Sequence, residues 1–212
     1  MGPVKGRFIA VEGIDGAGTT TQSHLLVEGL RARGLKSVYT NEPTSGPIGV
    51  LIRQILKGRI VARNPEGHIE GFSPQIMALL FAADRLDHVN TLVNPLVEEG
   101  VWVISDRYLY SSLAYQGIGL DPDWILTINR FAPLPDLTVF IDVPVDTALK
   151  RLTETRPQKE VFETRDLQEK VRDNYLRLFK ELPEHKKVLV SGTKPREEVA
   201  SRILNTVLSV LA

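Results

Sequence analysis

Short apolar runs alternate along the chain with longer stretches in which apolar residues recur every three or four positions. The short runs are Arg7–Glu12, Ser37–Asn41, Val101–Asp106, Leu137–Val143 and Lys187–Ser191. Most are too continuous in Val, Ile, Leu and Phe to be half-exposed, which is how strands buried on both faces of a parallel sheet read. Between them the helical period takes over. Residues 20–33 carry Leu25, Leu26 and Leu30 and stop at Gly34, a residue type that favours helix C-termini. Residues 73–99 carry Ile76, Leu79, Leu80, Ala83, Leu86, Leu92, Val93 and Leu96 ahead of Gly100. Residues 144–155, 165–181 and 195–211 complete the helical set, two of them opening on a proline near the first turn. Strand–helix alternation of this kind predicts a doubly wound α/β fold. With no repeat, low-complexity tract or linker, all 212 residues read as one domain. The polar stretches 57–71 and 156–164 are expected to be mobile excursions from it.

Composition narrows the function classes. Hydrophobic residues at 42% and charged residues at 25% are ordinary for a soluble globular protein. Lys plus Arg equals Asp plus Glu at 26 each, so no bulk charge points to nucleic acid or an acidic membrane. A small anion needs only a local basic patch. The absence of cysteine removes disulfides, thiolate catalysis and cysteine metal sites. His24, His68, His88 and His185 are scattered without ligand spacing, so each is expected to be a surface or satisfied histidine. The opening "MGPVKGR" lacks the apolar segment of a signal peptide, and no apolar run approaches a membrane span, so a cytoplasmic location is expected.

Candidate chemistry begins at "GIDGAGTTT", residues 13–21, directly after the first strand and before the first helix. The spacing G-x-x-x-x-G followed by hydroxyl residues is that of a phosphate-binding loop. Glycines let backbone N–H groups curl around phosphate oxygens, and the helix N-terminus adds partial positive charge. Gly13, Asp15, Gly16, Ala17, Gly18, Thr19, Thr20 and Thr21 are therefore the candidate ATP-binding residues, with Thr20 where a hydroxyl would ligate Mg²⁺. In "WVISDRY", residues 102–108, Asp106 ends an apolar strand at the edge where open α/β sheets bind ligands. It can hold a metal's water shell or take a proton, and Arg107 beside it suits phosphate. In "LLFAADRLDH", Phe81 and Arg85 are four apart and share a helix face, so a ring could stack a base whose edge a guanidinium bonds. The segment "SSLAYQG" adds Ser111, Ser112, Tyr115 and Gln116 close behind "DRY".

Taken in order, "EGIDGAG…TTTQ", "NEPTSGPIG", "LLFAADRLDH", "SDRYLYSSLAYQG", "PDLTVFIDVPVDTALKRL" and "VRDNYLRL" closely resemble thymidylate kinases, from about residue 7 to residue 210. The pairing of "DRY" with "S…AYQG" is specific to that family among nucleotide kinases. The resemblance implies a P-loop nucleoside monophosphate kinase fold with a five-stranded parallel sheet, usually as a homodimer. It also implies ATP- and Mg²⁺-dependent phosphoryl transfer to dTMP, giving dTDP. By that resemblance Asp15 meets the sugar 3′-hydroxyl, Phe81 stacks on thymine, and Arg85 bonds its edge. Arg107 bridges the acceptor phosphate, with Asp106 near the metal. Glu42, Pro43, Ser111, Ser112, Tyr115 and Gln116 match the thymidine pocket, Tyr115 disfavouring a ribose 2′-hydroxyl. In "SGTKPREE", Lys194 and Pro195 match the loop against the donor base.

Two positions depart from the family pattern. Thr19 stands where the loop normally carries lysine, and Asn41 where an arginine normally precedes Glu42–Pro43. Both remove positive charge from a site whose chemistry depends on positioned cations. The lid "TETRPQKEVFETR" offers Arg156, Lys159 and Arg165 as replacements, and Arg156 is the expected catalytic arginine. Two alternatives stay open: another pyrimidine nucleoside monophosphate kinase, or a degenerate member that binds nucleotide as a regulatory module. Retention of Asp15, Thr20, Asp106 and Arg107 favours an enzyme.

Overall fold

A computed structural model describes residues 5–155, 164–182 and 186–211. In chain order the first strands are β1 (Phe8–Glu12) and β2 (Ser37–Asn41), then a short antiparallel pair, β3 (Ala62–Arg63) with β4 (Ile69–Glu70). They are followed by β5 (Trp102–Asp106), β6 (Leu137–Asp142) and β7 (Lys187–Ser191). Five of these form one parallel sheet in the order β2-β5-β1-β6-β7, so the five apolar runs read from the sequence are its five strands. The stretch 57–71, read as an excursion, contains the β3–β4 pair.

The helices are α1 (Thr19–Arg31), α2 (Pro47–Leu56), α3 (Pro74–His88), α4 (Asn94–Glu98), α5 (Leu109–Tyr115), α6 (Pro122–Ile128), α7 (Val145–Thr155), α8 (Arg165–Glu181) and α9 (Arg196–Leu211). Three of them, α2, α5 and α6, are short and carry no long periodic signal, and the periodicity did not assign them. The helix expected over 73–99 is instead broken into α3, a π-helical stretch at Val89–Val93, and α4. Pro95 explains the break. It has no N–H to return to the carbonyl four residues back, and the ladder widens just before it.

Ile9, Val11, Val103, Ile104, Leu137, Val139 and Ile141 have no exposed surface, so the inner strands are covered on both faces. The period-of-four residues of α1 (Leu26, Leu30) and α9 (Ile203, Val207) close over them. Each such side chain stabilises the fold by about 1.5–3 kcal/mol relative to exposure. In register, Val11 lies beside Asp106 and Glu12 beside Phe140. The chain therefore leaves β1 and β5 side by side at the carboxyl edge, where open sheets bind ligands. Arg156 and Lys159 lie outside the described residues, as does all but Thr164 of the stretch 156–164 expected to form a lid. Among the described residues no helix is long and apolar enough to cross a membrane.

Candidate active site

The loop leaving β1 turns into α1 through two glycines in the left-handed region, Gly16 (φ 81°) and Gly18 (φ 93°). Gly16 has a second constraint, because a Cβ there would fall 2.3 Å from the Ala148 carbonyl oxygen. The loop thus lies flat on α7, which only glycine permits. Gly18 caps α1 with open space where its side chain would be. The α1 N–H groups face that space without a side-chain cap, an arrangement suited to an anion. Thr19 is buried and Thr20 exposed at the helix mouth.

At the end of β5, Oδ2 of Asp106 accepts from the Thr20 hydroxyl and, at 3.4 Å, from the Tyr39 hydroxyl. Its Oδ1 is buried and has no hydrogen-bond partner among the described residues. Burial, with Asp106 close by, holds the Tyr39 hydroxyl protonated well above its ordinary range. A hard cation fits here: a carboxylate oxygen in want of a partner beside a hydroxyl, at the mouth of a phosphate-type loop. Among the described residues no cluster of three or more His, Cys, Asp and Glu suits a metal, and Mg²⁺ needs none, since phosphates and water complete its shell.

Arg107 follows with φ 72°, the one non-glycine residue with positive φ among those described. Its guanidinium donates to the Gly13 carbonyl (2.9 Å), to Ser111 Oγ (3.3 Å) and to Asp15 Oδ1 (2.6 Å), and lies 5.3 Å from the Tyr115 ring centroid. Burial opposes the Arg107 charge, but the negative charge of neighbours such as Asp15 and Asp106 acts against this, and its pKa stays high. Burial likewise pushes the Tyr115 phenol far up, so it stays neutral. Gln168 of α8 grips Asp15 from the other side, accepting from its backbone N–H (3.1 Å) and donating to Oδ2 (2.9 Å).

Arg85 is only 1% exposed and belongs to a buried network. It pairs with Glu42 Oε2 (2.8 Å) and donates to Asn129 Oδ1 (2.5 Å), the Tyr108 carbonyl (3.0 Å) and Ser112 Oγ (3.0 Å). The other Glu42 oxygen meets His88 Nδ1 at 3.0 Å, and His88 Nε2 meets Thr40 Oγ1 at 2.8 Å. His88 is accordingly a satisfied buried histidine, as its isolated sequence position suggested. Gln116 Oε1 is buried without a hydrogen-bond partner among the described residues.

These groups share one cavity of about 630 Å³, within the size range of small-molecule sites. Of the residues singled out in the sequence, Asp15, Gly16, Gly18, Thr19, Thr20, Thr21, Glu42, Pro43, Phe81, Arg85, Asp106, Arg107, Ser111, Ser112, Tyr115 and Gln116 line it. A neighbouring hollow of about 210 Å³ takes in Ala17, Gly18, Thr21, Lys194 and Arg151. Gly13 and Pro195 line neither. A Cβ at Gly13 would fall 2.9 Å from that of Ala17, so this glycine lets the loop fold tightly. Arg165, offered by the lid reading, is held on the surface by Asp146 (2.8 Å) and Glu169 (2.9 Å).

Arg53, Lys57 and Arg151 also line the main cavity and were not picked out from the sequence. Arg53 donates to the carbonyls of Pro43 and Thr44, and Arg151 to that of Gly192 at 2.8 Å. No spacing marks Arg53 or Lys57, because their place depends on α2 packing beside α3. Asn41 spends its amide on the Pro43 carbonyl (2.8 Å). With Thr19 and Asn41 uncharged, five basic residues among those described (Arg53, Lys57, Arg85, Arg107, Arg151) still line the cavity against three acidic ones (Asp15, Glu42, Asp106).

Comparison with known proteins agrees with this geometry. The thymidylate kinase family model matches residues 11–203. A probable thymidylate kinase of Thermococcus kodakarensis is 43% identical over 207 residues, covering 96% of this chain and 98% of the relative. One of Pyrococcus horikoshii is 42% identical over 204 residues, 95% of each chain. One of Methanococcus aeolicus is 39% identical over 207 residues, 95% of this chain and 96% of the relative. With a phosphate-type loop and the Asp106–Arg107 turn lining one cavity, the chain belongs to the thymidylate kinase family.

Proposed function

We propose that the protein transfers the γ-phosphoryl group of ATP to dTMP, giving ADP and dTDP. The observation that carries this reading is the continuity of the cavity. The helix N-terminus with Thr20, the pair Asp106 and Arg107, and Phe81, Tyr115 and Gln116 all line it. Two substrates bound in one enclosure can meet in line, and holding reactants in that geometry is much of what phosphoryl transfer needs.

On this reading the amides of Gly16–Thr20 cradle the donor phosphates, and the hollow beside Lys194 and Arg151 takes the donor base, with Pro195 just behind. Thr20 and Asp106 hold Mg²⁺, which when bound neutralises charge between the phosphates. Arg107 binds the acceptor phosphate, and Arg53 and Lys57 add positive charge on that side. Phe81 stacks on thymine while Gln116 Oε1, lacking a partner among the described residues, accepts from the ring N–H. Arg85 and Ser112 face the base edge, Glu42 and Pro43 brace them, and Asp15 and Ser111 flank the sugar. Tyr115 closes on the 2′ side, so a ribose hydroxyl there would crowd a neutral phenol. The unit is one P-loop kinase domain with a lid at about 156–164, and Arg156 of that lid supplies charge to the transferring group. It works as a cytoplasmic homodimer.

The test is a coupled ADP-release assay with ATP and Mg²⁺ against dTMP, dUMP, UMP and CMP, with light scattering for the homodimer. kcat/KM for dTMP is expected to be well above that for UMP or CMP. Comparable efficiency with UMP would identify a different pyrimidine acceptor, and nucleotide binding without dTDP formation would leave only a binding module.

A further inference from the structure

Glu12, the last residue of β1, is fully buried and opens the stretch "EGIDGAG", in which it carries none of the roles given above. Its Oε1 accepts from the backbone N–H of Tyr108 (2.9 Å) and of Ser111 (3.2 Å). Its Oε2 is bonded by the Ser111 hydroxyl (2.6 Å) and the Tyr175 hydroxyl (2.9 Å), which lie 2.8 Å from each other. A single carboxylate therefore joins β1, the start of α5 and the middle of α8. What it holds is the turn carrying Arg107.

That turn needs holding. Arg107 has φ 72°, and a non-glycine residue in the left-handed region is strained, persisting only when its surroundings over-determine it. Tyr108 supplies the peptide N–H directly after Arg107, and Ser111 the N–H in the first turn of α5. Fixing these two amides fixes the orientation of the peptide leaving Arg107, while the Arg107 N–H is held by the Val11 carbonyl at 2.9 Å. The strained residue is pinned on both sides from one strand end. Its guanidinium can then span Gly13, Asp15 and Ser111 instead of relaxing away from the cavity.

We infer that Glu12 is the positioning residue for Arg107: by clamping the Tyr108 and Ser111 amides it aims the guanidinium at the acceptor phosphate. The inference rests on the reading of Arg107 as the acceptor-phosphate ligand. Glu12 touches no substrate, so its effect passes through Arg107. It should appear in acceptor use and be silent for the donor.

The experiment measures KM for dTMP and for ATP separately in Glu12→Ala, Glu12→Gln, Arg107→Ala and the double variants, with hydrogen exchange at the Tyr108 and Ser111 amides. Loss of a charge-assisted bond predicts a dTMP KM about tenfold higher in Glu12→Ala. Glu12→Gln keeps an oxygen toward both amides and should fall between, at about threefold. ATP KM should stay within about twofold, both amides should exchange faster, and neither Glu12 change should add to Arg107→Ala. Should Glu12→Ala not fold, Glu12→Gln carries the same comparison. An unchanged dTMP KM with unchanged exchange in Glu12→Gln overturns the proposal. So does an effect that adds fully to that of Arg107→Ala, or that raises both KM values equally. A dTMP KM untouched by Arg107→Ala would instead defeat the acceptor-phosphate reading, whereas the amide exchange reports the clamp without any substrate.

Discussion

The Thr20 hydroxyl donates to Oδ2 of Asp106, and Oδ1 of the same carboxylate is buried with no partner among the described residues. One oxygen is fixed by the phosphate-type loop and the other is left for a ligand. Asp106→Asn keeps the shape and removes the charge. Turnover should fall by a factor on the order of 10²–10³, the usual scale for losing one group that meets developing charge. Affinity for Mn²⁺, read by electron paramagnetic resonance in place of Mg²⁺, should weaken, and the melting temperature should hold. Wild-type turnover with unchanged Mn²⁺ affinity would show that Asp106 serves only the fold.

The missing loop lysine gives a second prediction. Thr19 can offer one neutral hydrogen bond, so Thr19→Ala should change kcat/KM by only about 0.5–1.5 kcal/mol. Arg151 lines both hollows, and Arg156 is the arginine proposed above to supply charge from a lid. Arg151→Ala and Arg156→Ala should each cost about 1.5–3 kcal/mol, as expected for a charged donor. Steady-state kinetics on the three variants decides the matter. An inactive Thr19→Ala beside two silent arginine variants would mean that the charge had not moved elsewhere.

Arg85 should matter to the fold as well as to the substrate. Its removal strands Glu42, 5% exposed, with only His88 as a partner. Breaking a buried pair by deleting one side costs about 3–5 kcal/mol. Arg85→Ala should therefore unfold at a clearly lower urea concentration and also raise the dTMP KM. Phe81→Ala, which breaks no ion pair, should raise the dTMP KM with a much smaller stability loss. An Arg85→Ala protein as stable as the parent would show that the buried network contributes nothing to the fold.

Burial raises the Glu12 carboxyl above its ordinary value of 4.5, although its hydrogen bonds and Arg107 oppose the shift. A folded-state pKa above the unfolded one means that the group favours the fold at pH below 4.5. That contribution is lost as pH rises through the folded-state pKa. Glu12→Gln removes the titration, so its melting temperature should fall less than the parent's as the pH is raised from 4.5 toward neutrality. Parallel curves for the two proteins would refute a raised Glu12 pKa.

What could be read before folding was local. Ser37–Asn41 and Lys187–Ser191, the partly buried edge strands, match residue for residue, and the inner runs were legible because a doubly covered strand must be apolar along its length. The phosphate loop was equally legible, since Gly16 and Gly18 adopt backbone angles that a few neighbouring residues demand. So was the place of Asp106 at a strand's carboxyl end. The π-helical break before Pro95 was missed because apolar spacing carries on across it, while the lost N–H acts only on the ladder. The partnerships were decided in three dimensions. Arg85 meets Glu42 across 43 positions and Glu12 meets Ser111 across 99, pairings that the strand order β2-β5-β1 creates. Arg53 and Lys57 reach the cavity only because α2 packs beside α3. A residue type states what bonds a side chain can make, but a buried charge finds its partner only when the sheet brings distant strand ends together in the absence of water.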